Sequence, residues 1–139
     1  MTETAGEFPA VRVTATLPVG AGYAVEVRSG RHVLHTDEPH EDGSPATGTN
    51  PVRMYLAALA ACTAATMRMY AERKGLDAGE ITVTVGIAPD GPIRRRITFS
   101  GELEPAVRER IAQIADRTPV TLLVTEPQPV DTEVTDATS

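Results

Sequence analysis

Cys62 is the residue whose side chain could act most directly as a nucleophile or a redox centre. It is the only cysteine of the chain, so no internal disulfide can form. A thiol reacts as the thiolate, and apolar surroundings disfavour that charged form. The residues one helical turn away carry no charge: Ala58, Leu59, Ala65 and Thr66. The sequence leaves two interpretations open, a thiol activated from another segment and an inert cysteine of the core.

Three histidines near a group of acidic residues raise the question of a metal site: His32, His35 and His40. Strand alternation places His32 and His35 on opposite faces, which disfavours shared coordination of one ion. We therefore predict no metal site. Since neither a Ser-His-Asp set nor a glycine-rich phosphate loop is visible, we also predict no bound cofactor.

A run of three arginines lies in a predicted strand, at residues 94–96. Alternation places Arg94 and Arg96 on the outer face of that strand. We interpret them as solvated side chains close to acidic neighbours. An anion site is the alternative.

The composition limits the partners. With 13 basic and 19 acidic residues, the net charge is −6, and such a chain is repelled by polyphosphate. There is no Trp, and two Phe and three Tyr leave few surfaces on which bases could stack. Both features argue against nucleic acid as a partner.

Length and hydropathy indicate a single domain without membrane contact. The longest largely apolar run, residues 54–67, is shorter than the about 20 residues that span a bilayer. The polar, acidic N-terminus is unlike a secretion signal, and a lone cysteine suits a reducing compartment, so we predict a cytoplasmic protein. The 139 residues predict one domain over residues 1–139, with flexible ends at 1–9 and 136–139.

The first third of the chain predicts three antiparallel strands. Apolar and polar residues alternate over residues 11–16 and 23–28, and a Ser-Gly turn leads to a returning strand at 31–36. The loop at 37–49 contains prolines, glycines and acids, and we expect it to be mobile.

A long helix is predicted over residues 51–74. Asn50 suits its N-cap and Pro51 its first position, while Gly75 follows two basic residues at its end. Residues 54–67 are apolar or small on every side. We therefore expect this half of the helix to be buried all round, within the domain or against another chain.

The remaining elements complete an α+β fold. Residues 81–87 and 93–99 flank a Pro-Asp-Gly-Pro turn and predict a hairpin. A second helix should run from Glu104 to about Arg117, followed by a short apolar segment and a last strand at 130–134. This order predicts antiparallel sheets wrapped around the long central helix.

Six short segments carry a resemblance to a known family. They are LHTDEP (34–39), GTNP (48–51), YLAALAACT (55–63), MYAERKG (69–75), GEL (101–103) and IADRTPV (114–120). In this order and spacing they resemble the OsmC-like family of osmotically inducible and organic-hydroperoxide-resistance proteins.

The resemblance implies an OsmC-like fold and an intertwined homodimer with the long helices at its core. It also implies a thiol peroxidase centre. In active members a cysteine on the long helix attacks the O–O bond of an organic hydroperoxide and becomes a sulfenic acid. A second cysteine, before Pro-Val, resolves it to a disulfide, and an Arg and a Glu activate the first thiol.

Carried over to this chain, the pattern is incomplete. Cys62 matches the attacking cysteine, but Thr118 stands at the position of the resolving cysteine. Val52 and Arg53 occupy the turn where the pattern has an acid. The nearest candidates for the activating arginine are Arg28 and Arg31.

Two classes of function follow from the resemblance. The first is a one-cysteine thiol peroxidase in oxidative-stress defence, which reduces a small organic hydroperoxide and relies on an external thiol. The second is a non-catalytic homodimer that binds a small hydrophobic molecule. The reactivity of Cys62 separates the two.

Overall fold

A computed structural model describes residues 7–136. They divide after Tyr55 into two compact units. The first holds a three-stranded sheet, the second holds a two-stranded sheet and two helices, and a long helix begins in the first and continues in the second. The single domain over residues 1–139 stays a prediction. Of its predicted flexible ends, residues 1–6 and 137–139 lie outside the described residues.

The sheet of the first unit is an antiparallel meander of three strands: β1 (Thr14–Thr16), β2 (Val25–Ser29) and β3 (His32–Thr36). Val27 in the central strand lies opposite both Ala15 and Leu34. The predicted meander is confirmed, but β1 is shorter than expected. Thr14 lies opposite Arg28 and β2 ends one residue later, so the residues before Thr14 have no strand with which to pair.

The long helix, α1, spans Pro51–Lys74 as predicted. The side chain of Asn50 caps its start, since its Oδ1 accepts a hydrogen bond from the backbone N–H of Arg53 at 2.8 Å. Gly75 ends it with a φ of +65°, a backbone conformation that glycine adopts without strain.

Burial along α1 differs from the expectation. One stripe of residues spaced by four is buried: Leu59, Thr63, Met67 and Ala71. Other residues of the apolar half, such as Tyr55, Ala58 and Ala61, are exposed. For a single chain, the prediction of burial on every side of residues 54–67 is therefore wrong. Burial of these faces against another chain stays a prediction.

The second unit adds four elements: β4 (Ile81–Ile87), β5 (Ile93–Phe99), α2 (Pro105–Ala115) and α3 (Pro119–Thr125). β4 and β5 form the predicted antiparallel hairpin, with Val83 opposite Ile97. The core is centred on Met67 of α1, on Leu103, which precedes α2, and on Ile111 of α2. Residues on the inner face of the hairpin, such as Ile81 and Ile97, pack against this cluster. The apolar side chains of the strands, which alternate along the sequence, and those of the helices thus pack in one cluster.

The C-terminal part departs from the expectation in two ways. The apolar segment after Pro119 is helical, and the predicted strand at residues 130–134 is wrong. Val130 and Val134 are 86 % and 91 % exposed. Alternation gives strand propensity, but a strand also needs a ladder partner, and no strand of the described part of the chain pairs with these residues. No helix within residues 7–136 has the length and hydropathy of a membrane span.

The carboxylate of Asp37, 1 % exposed, organises the loop between β3 and α1. It accepts hydrogen bonds from the backbone N–H groups of Glu38 and Thr47, each at 2.8 Å, and from the Thr47 hydroxyl at 2.9 Å. His40 Nε2 lies 3.2 Å from the same carboxylate. The loop that we expected to be mobile is thus tied together by hydrogen bonds that the sequence did not predict.

Asp37 predicts a pH dependence of stability. The N–H of Thr47 is the main cause that lowers its pKa from 3.8 to about 2, although burial opposes the shift. Because the folded pKa is below the ordinary value, the carboxylate stabilises the fold above pH 3.8, and this contribution is lost as the pH falls toward 2. We expect Asp37→Asn to be less stable at neutral pH and to lose less stability over this acid range, measured by thermal unfolding.

Asp90→Asn is the matched control. Asp90 is exposed in the turn between β4 and β5, so this variant should unfold with the pH profile of the wild type. Parallel profiles for the wild type and Asp37→Asn would contradict the role given to Asp37.

Candidate functional site

Cys62 lies in the middle of α1 and is half-buried. Within residues 7–136, its sulfur makes no hydrogen bond. The next residue, Thr63, belongs to the buried stripe and is 0 % exposed. The Thr63 hydroxyl donates to the backbone carbonyl of Leu59 at 2.7 Å, which leaves its oxygen free to accept from a second partner.

That second partner is Arg95, on the inner face of β5 with a side chain 14 % exposed. Its Nη1 donates to the hydroxyls of Thr63 at 3.0 Å and Thr121 at 2.8 Å. Its Nη2 lies 3.4 Å from a carboxylate oxygen of Asp116, but Asp116 is 82 % exposed, so solvent weakens this ion pair. Neutral hydroxyls are therefore the main buried partners of the guanidinium.

Sequence analysis did not single out Arg95. The alternation that places Arg94 and Arg96 on the outer face is confirmed, since both are exposed. The same alternation places Arg95 between the inward-facing Ile93 and Ile97. A charged residue at an apolar position of a strand is the signal that could have identified it.

Thr118 and Thr121 complete the set of buried polar contacts, which we call the arginine–threonine cluster (Thr63, Arg95, Thr118, Thr121). Thr121 donates its single hydroxyl proton to the carbonyl of Ala115 at 3.0 Å. The Thr118 hydroxyl, 2.6 Å from that of Thr121, must then be the donor between the two. Each of these hydroxyls has a partner, so the cluster satisfies its own hydrogen bonds.

The structure brings together some of the predicted site residues and not others. Thr118 caps α3 and is linked through Thr121 and Arg95 to Thr63, the neighbour of Cys62. Cys62 itself is not a member of this chain of hydrogen bonds. A pairing of Cys62 with the Thr118 position stays a prediction.

The two predicted activating arginines lie in the first unit. Arg28 Nε donates to Glu26 at 2.8 Å in an exposed ion pair, and Arg31 is exposed in the turn between β2 and β3. Their role at Cys62 stays a prediction. Within residues 7–136, no group of three or more His, Cys, Asp or Glu side chains is placed to hold a metal ion.

Comparison with known protein families gives a match over residues 41–133 to the family described as OsmC-like protein. The chain belongs to this OsmC-like family. The matched part covers more than half of the chain and includes Cys62, Arg95 and Thr118. The resemblance stated from the sequence segments is therefore confirmed.

Solved structures support the same assignment of the fold. A Psychrobacter arcticus protein named for osmotic stress induction and a detoxification response shares 19 % identity, with 84 % of this chain and 88 % of that chain covered and a TM-score of 0.64. An organic hydroperoxide resistance protein from Legionella pneumophila shares 18 % identity over 87 % and 93 %, with a TM-score of 0.54.

A third structure, from Vibrio cholerae, is named for organic hydroperoxide resistance and holds captopril in one of its active sites. It shares 22 % identity over 86 % of this chain and 88 % of that chain, with a TM-score of 0.55. At these identities the likeness establishes the fold, and it confirms the predicted α+β OsmC-like architecture. No curated protein matches the sequence of this OsmC-like chain.

Arg95→Met should destabilise the protein. The variant keeps most of the side-chain volume but leaves the Thr63 and Thr121 hydroxyls without their shared donor. Loss of a partner for buried acceptors costs about 1–3 kcal/mol of unfolding free energy, measurable by urea denaturation. Arg94→Met, on the outer face of the same strand, should stay within about 0.5 kcal/mol of the wild type. Equal stability of the two variants would show that the cluster contributes nothing.

Proposed function

We propose that this OsmC-like protein acts in oxidative-stress defence as a one-cysteine thiol peroxidase for organic hydroperoxides. The observation that carries the proposal is the place of Cys62, halfway along α1, half-buried, inside the family match and next to the residue bonded by Arg95. Neighbours in fold that are named for hydroperoxide resistance and detoxification support the same role.

The reaction needs one thiolate and an external reductant. The Cys62 thiolate attacks the terminal oxygen of ROOH, an S–O bond forms as the O–O bond breaks, and the leaving alkoxide takes up a proton to become an alcohol. An external thiol condenses with the resulting sulfenic acid and releases water. A second external thiol then attacks the mixed disulfide, which returns Cys62 as a thiolate. We place this cycle in the cytoplasm, where small thiols are kept reduced.

The chemistry should be slow by comparison with a complete site. Val52 and Arg53 stand where the family pattern has an acid, and no second cysteine can resolve the sulfenic acid. Arg28 and Arg31 remain our proposals for activation of the thiolate. Arg95 joins them, because the cluster holds its charge at the residue next to Cys62.

We also propose that the protein is a homodimer. In a single chain, α1 exposes a row of apolar and small side chains: Val52, Tyr55, Ala57, Ala58, Ala61, Ala65 and Met69. A contiguous apolar surface of this kind marks an interface rather than a solvated face. Small side chains let another helix approach closely, so a second copy of α1 is the partner that fits best.

The alternative function is a non-catalytic OsmC-like homodimer that binds a small hydrophobic molecule. One observation favours it, a cavity of about 480 Å³ in the second unit, lined by both apolar and polar residues. Cys62 would then be a core residue without a reaction of its own. The Vibrio cholerae protein, with captopril in an active site, is an example of a small organic molecule held by this fold.

Oxidation of Cys62 by cumene hydroperoxide tests the peroxidase. We expect one equivalent of sulfenic acid, trapped by dimedone and measured by mass spectrometry, at a rate about tenfold or more above that of Cys62 in the urea-unfolded chain. Cys62→Ser should consume no peroxide in the presence of dithiothreitol. A folded-state rate no higher than the unfolded-state rate would reject catalysis in favour of the binding function.

A Thr118→Cys variant extends the same experiment to the resolving position. We expect peroxide to link Cys62 to the new thiol, which requires Cα atoms within about 7 Å of each other. Thr125→Cys, at the far end of α3, is the matched control and should stay unlinked. If Thr118→Cys also stays unlinked while Cys62 is over-oxidised, the proposed correspondence of Thr118 with the resolving cysteine is wrong.

The dimer predicts the effect of a charge on the exposed face of α1. Sedimentation at low micromolar concentration should show a dimer for the wild type. Ala58→Arg should dissociate it, since an interface would bury the new charge, whereas Glu72→Arg, in the polar half of the same helix, should leave it intact. A folded wild-type monomer under these conditions would rule out the proposed homodimer.

A further inference from the structure

A cavity of about 480 Å³ lies between β5 and α2, within the second unit. This volume is within the range of about 300–1,000 Å³ typical of small-molecule sites. Four of its nine lining residues have large apolar side chains: Ile97, Phe99, Leu103 and Ile111. Leu103 and Ile111 are buried members of the core cluster and the other two pack against it, so the walls are held in place without a ligand.

Two arginines line the same cavity, Arg95 and Arg108, and among the described residues no acidic side chain lines it. Arg95 has five N–H groups, of which the threonines and Asp116 occupy three. Arg108 is exposed on α2, and within residues 7–136 its guanidinium makes no hydrogen bond or ion pair. Both guanidinium groups therefore keep donors for an anion.

We propose that this cavity binds an amphipathic anion, a medium-chain carboxylate whose head group lies at Arg95 and Arg108 and whose hydrocarbon chain follows the apolar walls. Guanidinium groups bind carboxylates through charge-assisted hydrogen bonds, which are stronger than neutral ones. A neutral ligand would leave the guanidinium of Arg108 without an anionic partner, and an anion without a chain would leave the apolar side chains of the lining uncovered. The acyl chain and the carboxylate are thus both required by the lining.

Binding in this cavity does not depend on the proposed peroxidase chemistry, although Arg95 is proposed to act in both. Cys62 does not line the cavity, and binding requires no reaction. The ligand class is narrower than the small hydrophobic molecule of the alternative function, because the two arginines select for a negative head group. Cys62→Ser should therefore bind the carboxylate as the wild type does, whatever the outcome of the peroxide experiment.

Calorimetric titration of the full-length protein with decanoate at neutral pH tests the proposal. Each methylene removed should weaken binding about fourfold, so octanoate should bind more weakly than decanoate by about a factor of fifteen. Decan-1-ol, which keeps the chain, and acetate, which keeps the charge, should both bind far more weakly than decanoate. Higher salt should reduce the affinity for decanoate.

Arg108→Met gives the decisive comparison. The Arg108 side chain is exposed and makes no hydrogen bond within residues 7–136, so its replacement should leave the fold intact. We expect Arg108→Met to lose affinity for decanoate by about tenfold or more. Arg94→Met, on the outer face of β5, should bind decanoate with the affinity of the wild type. Ala112→Phe, which places a ring at the cavity wall, should block binding independently of charge. Equal affinity of Arg108→Met and the wild type, equal affinity for decanoate and decan-1-ol, or no decanoate binding would overturn the proposal.

Discussion

Arg95 carries a permanent positive charge into the interior of the second unit, where the hydroxyls of Thr63 and Thr121 accept its hydrogen bonds. An arginine cannot become neutral in a protein, so burial of its side chain requires polar partners at fixed distances. Those partners come from α1 and α3, while Arg95 itself belongs to β5. One guanidinium thus connects three elements that are distant in sequence, and its hydrogen bonds fix the distances between their side chains.

The side chain of Arg95 contributes to both sites proposed in this unit, the surroundings of the Cys62 thiol and the cavity beside α2. Toward α1, the guanidinium ends at Thr63, which places a positive charge one residue along the chain from the thiol. On the side of α2, Arg95 lines the cavity together with Arg108. Arg95 therefore contacts the residue next to the thiol and also lines the cavity, so its substitution would remove a positive charge from both places.

The sequence predicts most of the elements because their signals are local. A capping Asn50, a Pro51 start and a Gly75 end identify α1 to the residue, and strict alternation identifies β4 and β5. The strand expected at 130–134 shows the limit, because a ladder partner is a tertiary property. The arginine–threonine cluster could not be predicted from the sequence for the same reason. Its members come from three segments, and only a fold brings Thr63, Arg95 and Thr121 together.

Thr118 makes two structural contributions, and a substitution at this position would disturb both. Its hydroxyl caps α3 and donates to Thr121, so a threonine at this position stabilises the helix and the cluster at once. A thiol is a much weaker donor and acceptor than a hydroxyl. A cysteine at this position would therefore weaken the cap of α3 and the hydrogen bond to Thr121 together, so a thiol introduced there would come at the expense of local stability.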